Sequence, residues 1–170
     1  MSEFGFCLDE ALSAQAEAVV SELRRLKLTV VTAESCTGGL IAAALSHAPG
    51  ASDCLHGGFV VYTKAHKARA LGVSNSVLET SGSVNGEVAG QLTRGALERS
   101  PAEVAVAVTG VLGPDPDEDG NPPGLIYFSV QRRGREPHVV SAHFNGEKPD
   151  RVRRAVVERA LELLREEAGR

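Results

Sequence analysis

Apolar positions recur every three or four residues near both ends of the chain, which is the spacing of an amphipathic helix. The first of these segments, residues 8–26, places apolar side chains at Leu12, Ala16, Val19, Leu23 and Leu26. The last such segment covers residues 152–164. Shorter segments between them are also predicted to be helical: residues 40–45, 64–71, 74–80 and 86–100.

Short apolar runs rich in β-branched residues predict the strands. They are residues 28–32, 58–62, 104–108, 125–130 and 138–144. Residues 132–135 form a predicted hairpin turn, so the last two strands should be antiparallel, whereas the earlier strands are separated by helices and should be parallel. The sequence therefore predicts a single α/β domain over residues 1–170, a three-layer α/β/α sandwich with a mixed, mostly parallel sheet of about five strands.

The composition is that of an ordinary folded domain and argues against nucleic acid as a partner. Hydrophobic residues make up 42% of the 170 positions, enough for a core of normal size. The net charge is −4 and the Lys and Arg residues are dispersed, so no basic face is expected. Aromatic residues are only 4%, without tryptophan, which argues against a platform for stacking bases.

The N-terminal residues and the cysteines indicate the compartment. No basic region followed by an apolar run is present, so no signal peptide is predicted, and no stretch is long enough to cross a membrane. Cys7, Cys36 and Cys54 are odd in number and lack a Cys-x-x-Cys pair, which argues against a disulfide framework and a structural zinc site. We therefore expect a cytoplasmic protein that does not bind membranes.

Small hydroxyl residues and glycines occupy the turn between the first predicted strand and the next helix. Residues 32–39 read Thr-Ala-Glu-Ser-Cys-Thr-Gly-Gly. A strand-to-helix turn exposes backbone N–H groups that can hold an anion or an oxyanion, and ligands gather at the carboxyl ends of strands in α/β sheets. The alternative is structural: Ser35 or Thr37 caps the helix, and Gly38 and Gly39 permit close packing.

Tyr62 and Lys67 follow the second predicted strand and are candidates to activate a serine. A lysine amine can remove the proton of a serine hydroxyl when burial and neighbouring cations lower its pKa, and a nearby tyrosine hydroxyl could relay that proton. Lys64 is nearer to Tyr62 in the sequence and competes with Lys67 for this role. The alternative is a surface lysine beside a half-buried tyrosine.

A glycine-containing loop follows the third predicted strand. Residues 109–114 read Thr-Gly-Val-Leu-Gly-Pro, beginning at Thr109. Gly110 and Gly113 would permit close approach of the backbone to a phosphate or a ribose, although loops of this composition are common.

The charged residues near this loop and on the last helix can each be interpreted in two ways, as ligand-binding groups or as ordinary surface residues. Residues 115–120 are acidic but lack the ligand spacing of an EF-hand, so a solvated loop is expected there. Arg153 and Arg154 could contact a phosphate or form ion pairs at the surface.

These segments together resemble the CinA C-terminal domain family, whose characterised members are nicotinamide mononucleotide deamidases. The resemblance extends over roughly residues 10–165, and its most specific motif is AESCTGG at residues 33–39. The other motifs that carry it are GGFVVYTKAHK at 57–67, LGV at 71–73, AVAVTGVLGP at 105–114 and VRR at 152–154.

The resemblance implies an α/β/α sandwich that hydrolyses nicotinamide mononucleotide to nicotinic acid mononucleotide and ammonia, without a metal or other cofactor. Ser35 would be the nucleophile, and Lys67 helped by Tyr62 would remove its proton. A homodimer or a larger homo-oligomer is implied as well. The residues implied in substrate binding, including the backbone donors for the oxyanion, are Cys36, Thr37, Gly38, Gly39, Thr109, Gly110, Gly113 and Arg153.

The loop after the third strand departs from the family pattern. Where relatives carry GIAGPxGG followed by KPVG, this chain has a bulky Leu112, a Pro116-Asp117 pair and no lysine before Gly124. Asn85 and Gly86 also stand where a Ser-Glu or Ser-Pro pair is common. The alternative function is therefore a non-catalytic homologue that binds pyridine nucleotides.

Two further hypotheses remain open on the sequence. Cys36 follows Ser35 directly and could itself be the nucleophile, although the five histidines are scattered and supply no obvious base. The second hypothesis is that the chain is an interaction domain. The excess of acidic residues gives no support to direct contact with DNA.

Overall fold

The predicted apolar runs pair into one mixed sheet in the computed structural model, which describes residues 9–170. The strands are β1 (Val30–Glu34), β2 (Leu55–Val60), β3 (Val104–Gly110), β4 (Leu125–Arg132) and β5 (His138–His143). Their order across the sheet is β2-β1-β3-β4-β5. β1 pairs in parallel with β2 and β3, whereas β4 is antiparallel to β3 and β5. All the strands except β4 therefore run in one direction, and the predicted mixed sheet is confirmed.

Helices cover both faces of this sheet. They are α1 (Glu10–Leu26), α2 (Leu40–His47), α3 (Lys64–Leu71), α4 (Asn75–Thr80), α5 (Gly86–Glu98) and α6 (Pro149–Ala168). Each corresponds to a predicted helix; the predicted start of the first, at residue 8, lies outside the described residues, as does Cys7.

The two faces of β3 show how the three layers are built. Because successive side chains of a strand point to opposite faces, Val104, Val106 and Val108 pack with α1, α2 and α6, whereas Ala105 and Ala107 pack with α3, α4 and α5. Small alanines on the second face let α5 lie close to the sheet. The predicted α/β/α sandwich is confirmed.

Two strands lie a few residues away from their predicted positions. The first was predicted at residues 28–32, but Leu28 lies in the turn that caps α1, where its N–H donates to the carbonyl of Leu23. β1 begins at Val30 and remains paired as far as Glu34. The second was predicted at residues 58–62, but pairing with β1 begins at Leu55 and stops at Val60. Both errors arise because pairing, not local hydrophobicity, decides where a strand ends.

None of the helices within residues 9–170 is both long enough and apolar enough to cross a membrane.

Candidate active site

A cavity of about 800 Å³ opens where the parallel strands β1, β2 and β3 end. The carboxyl ends of parallel strands meet at one edge of a sheet, so the segments that follow these strands converge there. The cavity is therefore lined by residues from the three predicted motifs that follow these strands, together with Arg153 of α6. The residues of the three motifs are Ser35, Cys36, Thr37, Gly38, Tyr62, Lys67, Thr109, Gly110 and Gly113.

Ser35 and Lys67 meet at the base of this cavity. The Nζ atom of Lys67 lies 2.9 Å from Oγ of Ser35 and donates a second hydrogen bond of 3.2 Å to the main-chain carbonyl of Tyr62. The side chain of Thr63 caps the first turn of α3, which begins the helix at Lys64 and places Lys67 one turn later. Lys67 is only 1% exposed, so its amine is aimed at the serine from inside the protein.

Burial changes the acid–base chemistry of this lysine. Removal from water disfavours the charged amine and lowers the pKa of Lys67 from its ordinary value of 10.5 to about 8. The positive charge of Lys64 lowers this pKa further, while Cys36 acts in the opposite direction. With this pKa about a tenth of the amine is neutral at pH 7 and more of it at higher pH, and a neutral amine beside a hydroxyl can accept its proton.

Glu34 organises the turn that presents Ser35, and the sequence analysis missed it. Its carboxylate is fully buried and accepts five hydrogen bonds. The donors are the hydroxyls of Thr32 and Thr37 and the backbone N–H groups of Gly39, Ile41 and Ala42, at 2.8 to 3.1 Å. A glutamate that ends an apolar strand, two residues after a threonine on the same face, was the available signal.

The position of this carboxylate argues against the structural alternative, in which Ser35 or Thr37 caps α2. The N-cap residue of α2 is Gly39 and the first N–H groups of the helix are satisfied by Glu34, so neither Ser35 nor Thr37 caps it. The hydroxyl of Thr37 instead donates to Glu34. Ser35 is therefore left with Lys67 as its side-chain partner.

The backbone N–H groups of residues 36–39 fall into two pairs. Gly38 donates to the carbonyl of Ser35 and Gly39 donates to Glu34, and Gly39 does not line the cavity. The N–H groups of Cys36 and Thr37 have no acceptor in another residue among 9–170, and both residues line the cavity beside Ser35. Of the four predicted donors, Cys36 and Thr37 are the two placed to receive an oxyanion.

Lys64 and Cys36, the competing candidates for base and nucleophile, have other environments. Lys64 is not among the residues that line the cavity, and its amine pairs with Glu118 and Asp119. Burial raises the pKa of the Cys36 thiol to about 12, which keeps it protonated and a poor nucleophile. The geometry favours Ser35 and Lys67 over both.

Tyr62 reaches Lys67 through its main chain. Its carbonyl accepts the hydrogen bond from the amine, while its side chain is 71% exposed at the rim of the cavity. The tyrosine ring thus stands where an entering ligand would pass.

The glycine loop and Arg153 form the remaining walls. Thr109 is buried and donates its hydroxyl to the carbonyl of Ser83, and a Cβ atom on Gly110 would collide with Ile126 and with the carbonyl of Leu125. Packing against β4, rather than a positive φ, therefore requires glycine at position 110. Gly113 does adopt a positive φ of 100°.

The cavity also holds groups that could bind an anion. The N–H groups of Leu112 and Gly113 have no acceptor in the described part of the chain. Arg153 lines the same cavity and forms an ion pair with Asp150 at 3.2 Å, whereas Arg154 pairs with Asp9 and Glu158 outside it.

No cluster of three or more His, Cys, Asp or Glu side chains within residues 9–170 is close enough to hold a metal ion.

Comparison with known proteins gives a consistent result in sequence and in structure. The sequence profile of the CinA C-terminal domain matches residues 12–168. A CinA-like protein of Chlorobium phaeobacteroides is 46% identical over 117 residues, which is 69% of this chain and 28% of that protein. The chain thus spans well under half the length of the curated relatives it matches.

Two crystal structures share the fold over nearly their whole length. The competence/damage inducible protein CihA from Agrobacterium tumefaciens is 38% identical with a TM-score of 0.87, covering 96% of this chain and 97% of that one. A CinA superfamily protein from Escherichia coli is 34% identical with a TM-score of 0.86, covering 94% and 93%.

Proposed function

The chain belongs to the CinA C-terminal domain family, and from that premise we propose that it is an amidohydrolase. Its substrate is nicotinamide mononucleotide, and its products are nicotinic acid mononucleotide and ammonia. The observation that carries the proposal is the 2.9 Å approach of the buried Lys67 amine to the Ser35 hydroxyl in the cavity at the end of the sheet. A neutral amine beside a serine can act as the general base that activates the hydroxyl for acyl transfer.

In the first half of the reaction, neutral Lys67 accepts the proton of Ser35 as Oγ attacks the carboxamide carbon. The carbonyl oxygen becomes negative and is stabilised by the N–H groups of Cys36 and Thr37, each such donor typically contributing about 3 kcal/mol. The carbon–nitrogen bond then breaks, and the Lys67 ammonium gives its proton to the nitrogen, which leaves as ammonia. An ester between Ser35 and the nicotinoyl group remains.

In the second half of the reaction, a water molecule hydrolyses this ester. Neutral Lys67 takes a proton from the water as its oxygen attacks the ester carbon, and the same N–H groups stabilise the second oxyanion. The ester bond breaks, and the lysine returns its proton to Ser35 Oγ. Nicotinic acid mononucleotide leaves, and the pair is restored.

Binding of the nucleotide uses the rest of the cavity. The phosphate is held by Arg153, with the N–H groups of Leu112 and Gly113 as further donors. The exposed ring of Tyr62 closes the side above Ser35, where it contacts the pyridine ring. Leu112, which departs from the family pattern, also lines the cavity.

Ammonia release from a panel of pyridine nucleotides tests the proposal. We expect the wild type to release ammonia from nicotinamide mononucleotide, and Ser35→Ala to reduce the rate by about 10³-fold or more while the protein remains folded. Ser46→Ala is the matched control, because Ser46 lies on α2 and donates only to the carbonyl of Ala43.

The outcomes separate the enzyme from a non-catalytic homologue. Turnover that survives in Ser35→Ala would refute the proposed nucleophile. Calorimetric binding of pyridine mononucleotides by the wild type, without any release of ammonia, would instead establish the binding protein suggested by the altered loop.

We also propose that the protein acts in the cytoplasm as a homo-oligomer. The free, buried thiols of Cys36 and Cys54 are compatible with a reducing compartment. The oligomer is inferred from family resemblance, and sedimentation of the purified chain would test it.

A further inference from the structure

The acidic loop, residues 115–120, is attached to the helix that carries Lys67. The ammonium of Lys64 lies 2.6 Å from Oδ1 of Asp119 and 3.0 Å from Oε1 of Glu118. The Lys64 and Asp119 side chains are 30% and 23% exposed, so the contact is partly shielded from solvent. Residues 115–120 are largely exposed to solvent, as expected from the sequence, and this contact in addition ties the acidic loop to α3.

A second hydrogen bond of Asp119 joins the acidic loop to another cavity wall. Its Oδ2 atom accepts the N–H of Ser83 at 3.2 Å, and the carbonyl of Ser83 accepts the hydroxyl of Thr109 at 2.8 Å. Asp119 therefore connects α3, the segment before α5 and the glycine loop. Ser83, Asp117 and Glu118 all line the cavity.

Hydrogen bonds to the carboxylate of Asp117 fix the backbone conformation of the acidic loop. Its Oδ1 accepts the N–H groups of Asp119 and Asn121, and its Oδ2 accepts the side-chain amide of Asn121. The Asp117 N–H bonds to the carbonyl of Asn121, and the Gly120 N–H bonds to the carbonyl of Asp117. The loop is thus a folded unit that one anchor can hold in place.

We propose that Lys64 is a positioning residue for the substrate, because its ion pair with Asp119 holds the acidic loop as a fixed wall of the cavity. The inference rests on the proposed function, since the cavity is the one assigned to the nucleotide. Lys64 lies one turn before Lys67 on α3 and does not touch Ser35. Above the pKa of Lys67, where the charge of Lys64 no longer affects how much of the base is neutral, its effect is therefore expected on substrate affinity and not on the chemical step.

A double-mutant cycle tests the ion pair. Lys64→Met removes the charge but keeps the length, and Asp119→Asn removes the charge but keeps an acceptor for Ser83. Measured near pH 9, above the Lys67 pKa of about 8, each single variant should raise KM about two- to fivefold with kcat little changed. The double variant should be no worse than either single variant, because the pair is already broken.

Arg69→Met is the control, since it removes one charge from an exposed position of the same helix. The acidic loop should exchange its amide hydrogens faster in Lys64→Met than in the wild type or in Arg69→Met. Lys64→Arg, which can keep the ion pair, should retain the KM of the wild type and the slow amide exchange of the acidic loop.

The proposal fails if Lys64→Met leaves KM and loop exchange unchanged, if the two single effects are additive, or if Arg69→Met reproduces them. Hydrogen exchange and calorimetric binding of nicotinic acid mononucleotide do not depend on turnover. A wild type that releases no ammonia would therefore refute the proposed function, while the anchoring of the loop would still be decided.

Discussion

Glu34 and Ser35 are adjacent in the chain, yet their side chains serve opposite layers of the sandwich. Glu34 continues the face of β1 that carries Thr32 and turns under the N-terminus of α2. Ser35 turns to the other face, where Lys67 of α3 approaches it. Because a strand sends successive side chains to opposite faces, one buried carboxylate can fix the turn without occupying the site.

Glu34→Gln should therefore destabilise the protein strongly. A neutral amide offers one oxygen and an N–H₂ group to a pocket built from five donors, so at least two of them lose their acceptor. We expect urea unfolding to show a loss of about 3–5 kcal/mol. Glu87→Gln, at an exposed position in the first turn of α5, should change the free energy of unfolding by less than about 0.5 kcal/mol. Similar unfolding midpoints for the two variants would contradict the role given to Glu34.

The rate of ammonia release should follow the protonation of Lys67. Its amine must be neutral to accept the Ser35 proton, and burial lowers its pKa to about 8. We expect kcat/KM to rise about tenfold per pH unit below this value and to level off above it. A rate profile from pH 6.5 to 9.5 at low substrate concentration measures this. A flat profile, or one that falls across the interval, would exclude a lysine base with this pKa.

Lys67→Met should abolish activity and yet stabilise the fold. At pH 7 the lysine is protonated in both states, and lowering its pKa from 10.5 to about 8 on folding costs about 3 kcal/mol. Methionine avoids that cost but loses the hydrogen bonds to Ser35 and Tyr62, so we expect a net gain of about 1–3 kcal/mol.

The stability gained by Lys67→Met should depend on pH, which provides a second measurement. Between about pH 8 and 10.5 the unfolded wild type binds more protons than the folded wild type, so its stability rises with pH. The advantage of Lys67→Met should therefore shrink through this interval. Lys148→Met, at an exposed position, should show neither effect. A Lys67→Met variant that is less stable than the wild type at pH 7 would show that the buried amine contributes to stability.

The segments that converge on the cavity could be predicted from the sequence, because each follows an apolar strand. The hydroxyl turn, the lysine helix and the glycine loop were all placed at carboxyl ends of strands, and the parallel pairing of β1, β2 and β3 brings those ends together. The limits of α3 also agree with the prediction, since Thr63 caps it and Gly72 ends it in the left-handed conformation.

What could not be predicted depends on contacts between distant residues. Lys64 and Lys67 are one helical turn apart, and only the position of the acidic loop shows that the first pairs with Asp119 while the second meets Ser35. The sequence likewise could not distinguish the carbonyl of Tyr62 from its hydroxyl as the group that contacts Lys67. The carboxylate of Glu34 was missed because helix capping was sought in hydroxyl residues.

Two glycines of α5 provide a last prediction, because they face different neighbours. A Cβ atom on Gly95 would collide with the carbonyl oxygen of Leu71, the last residue of α3, and a backbone atom cannot rotate away. The nearest atom to a Cβ on Gly90 is a side-chain carbon of Pro137 at 3.6 Å, an ordinary contact.

Gly95→Ala should therefore cost about 2–4 kcal/mol in urea unfolding, whereas Gly90→Ala should be neutral or gain up to about 1 kcal/mol through helix propensity. Since the collision displaces α3, Gly95→Ala should also slow ammonia release even under conditions where it is fully folded, because Lys67 moves with the helix. Equal stability of the two variants would mean that α3 can shift at no cost, and a folded Gly95→Ala protein with full activity would mean that the position of Lys67 does not depend on the packing of α3 against α5.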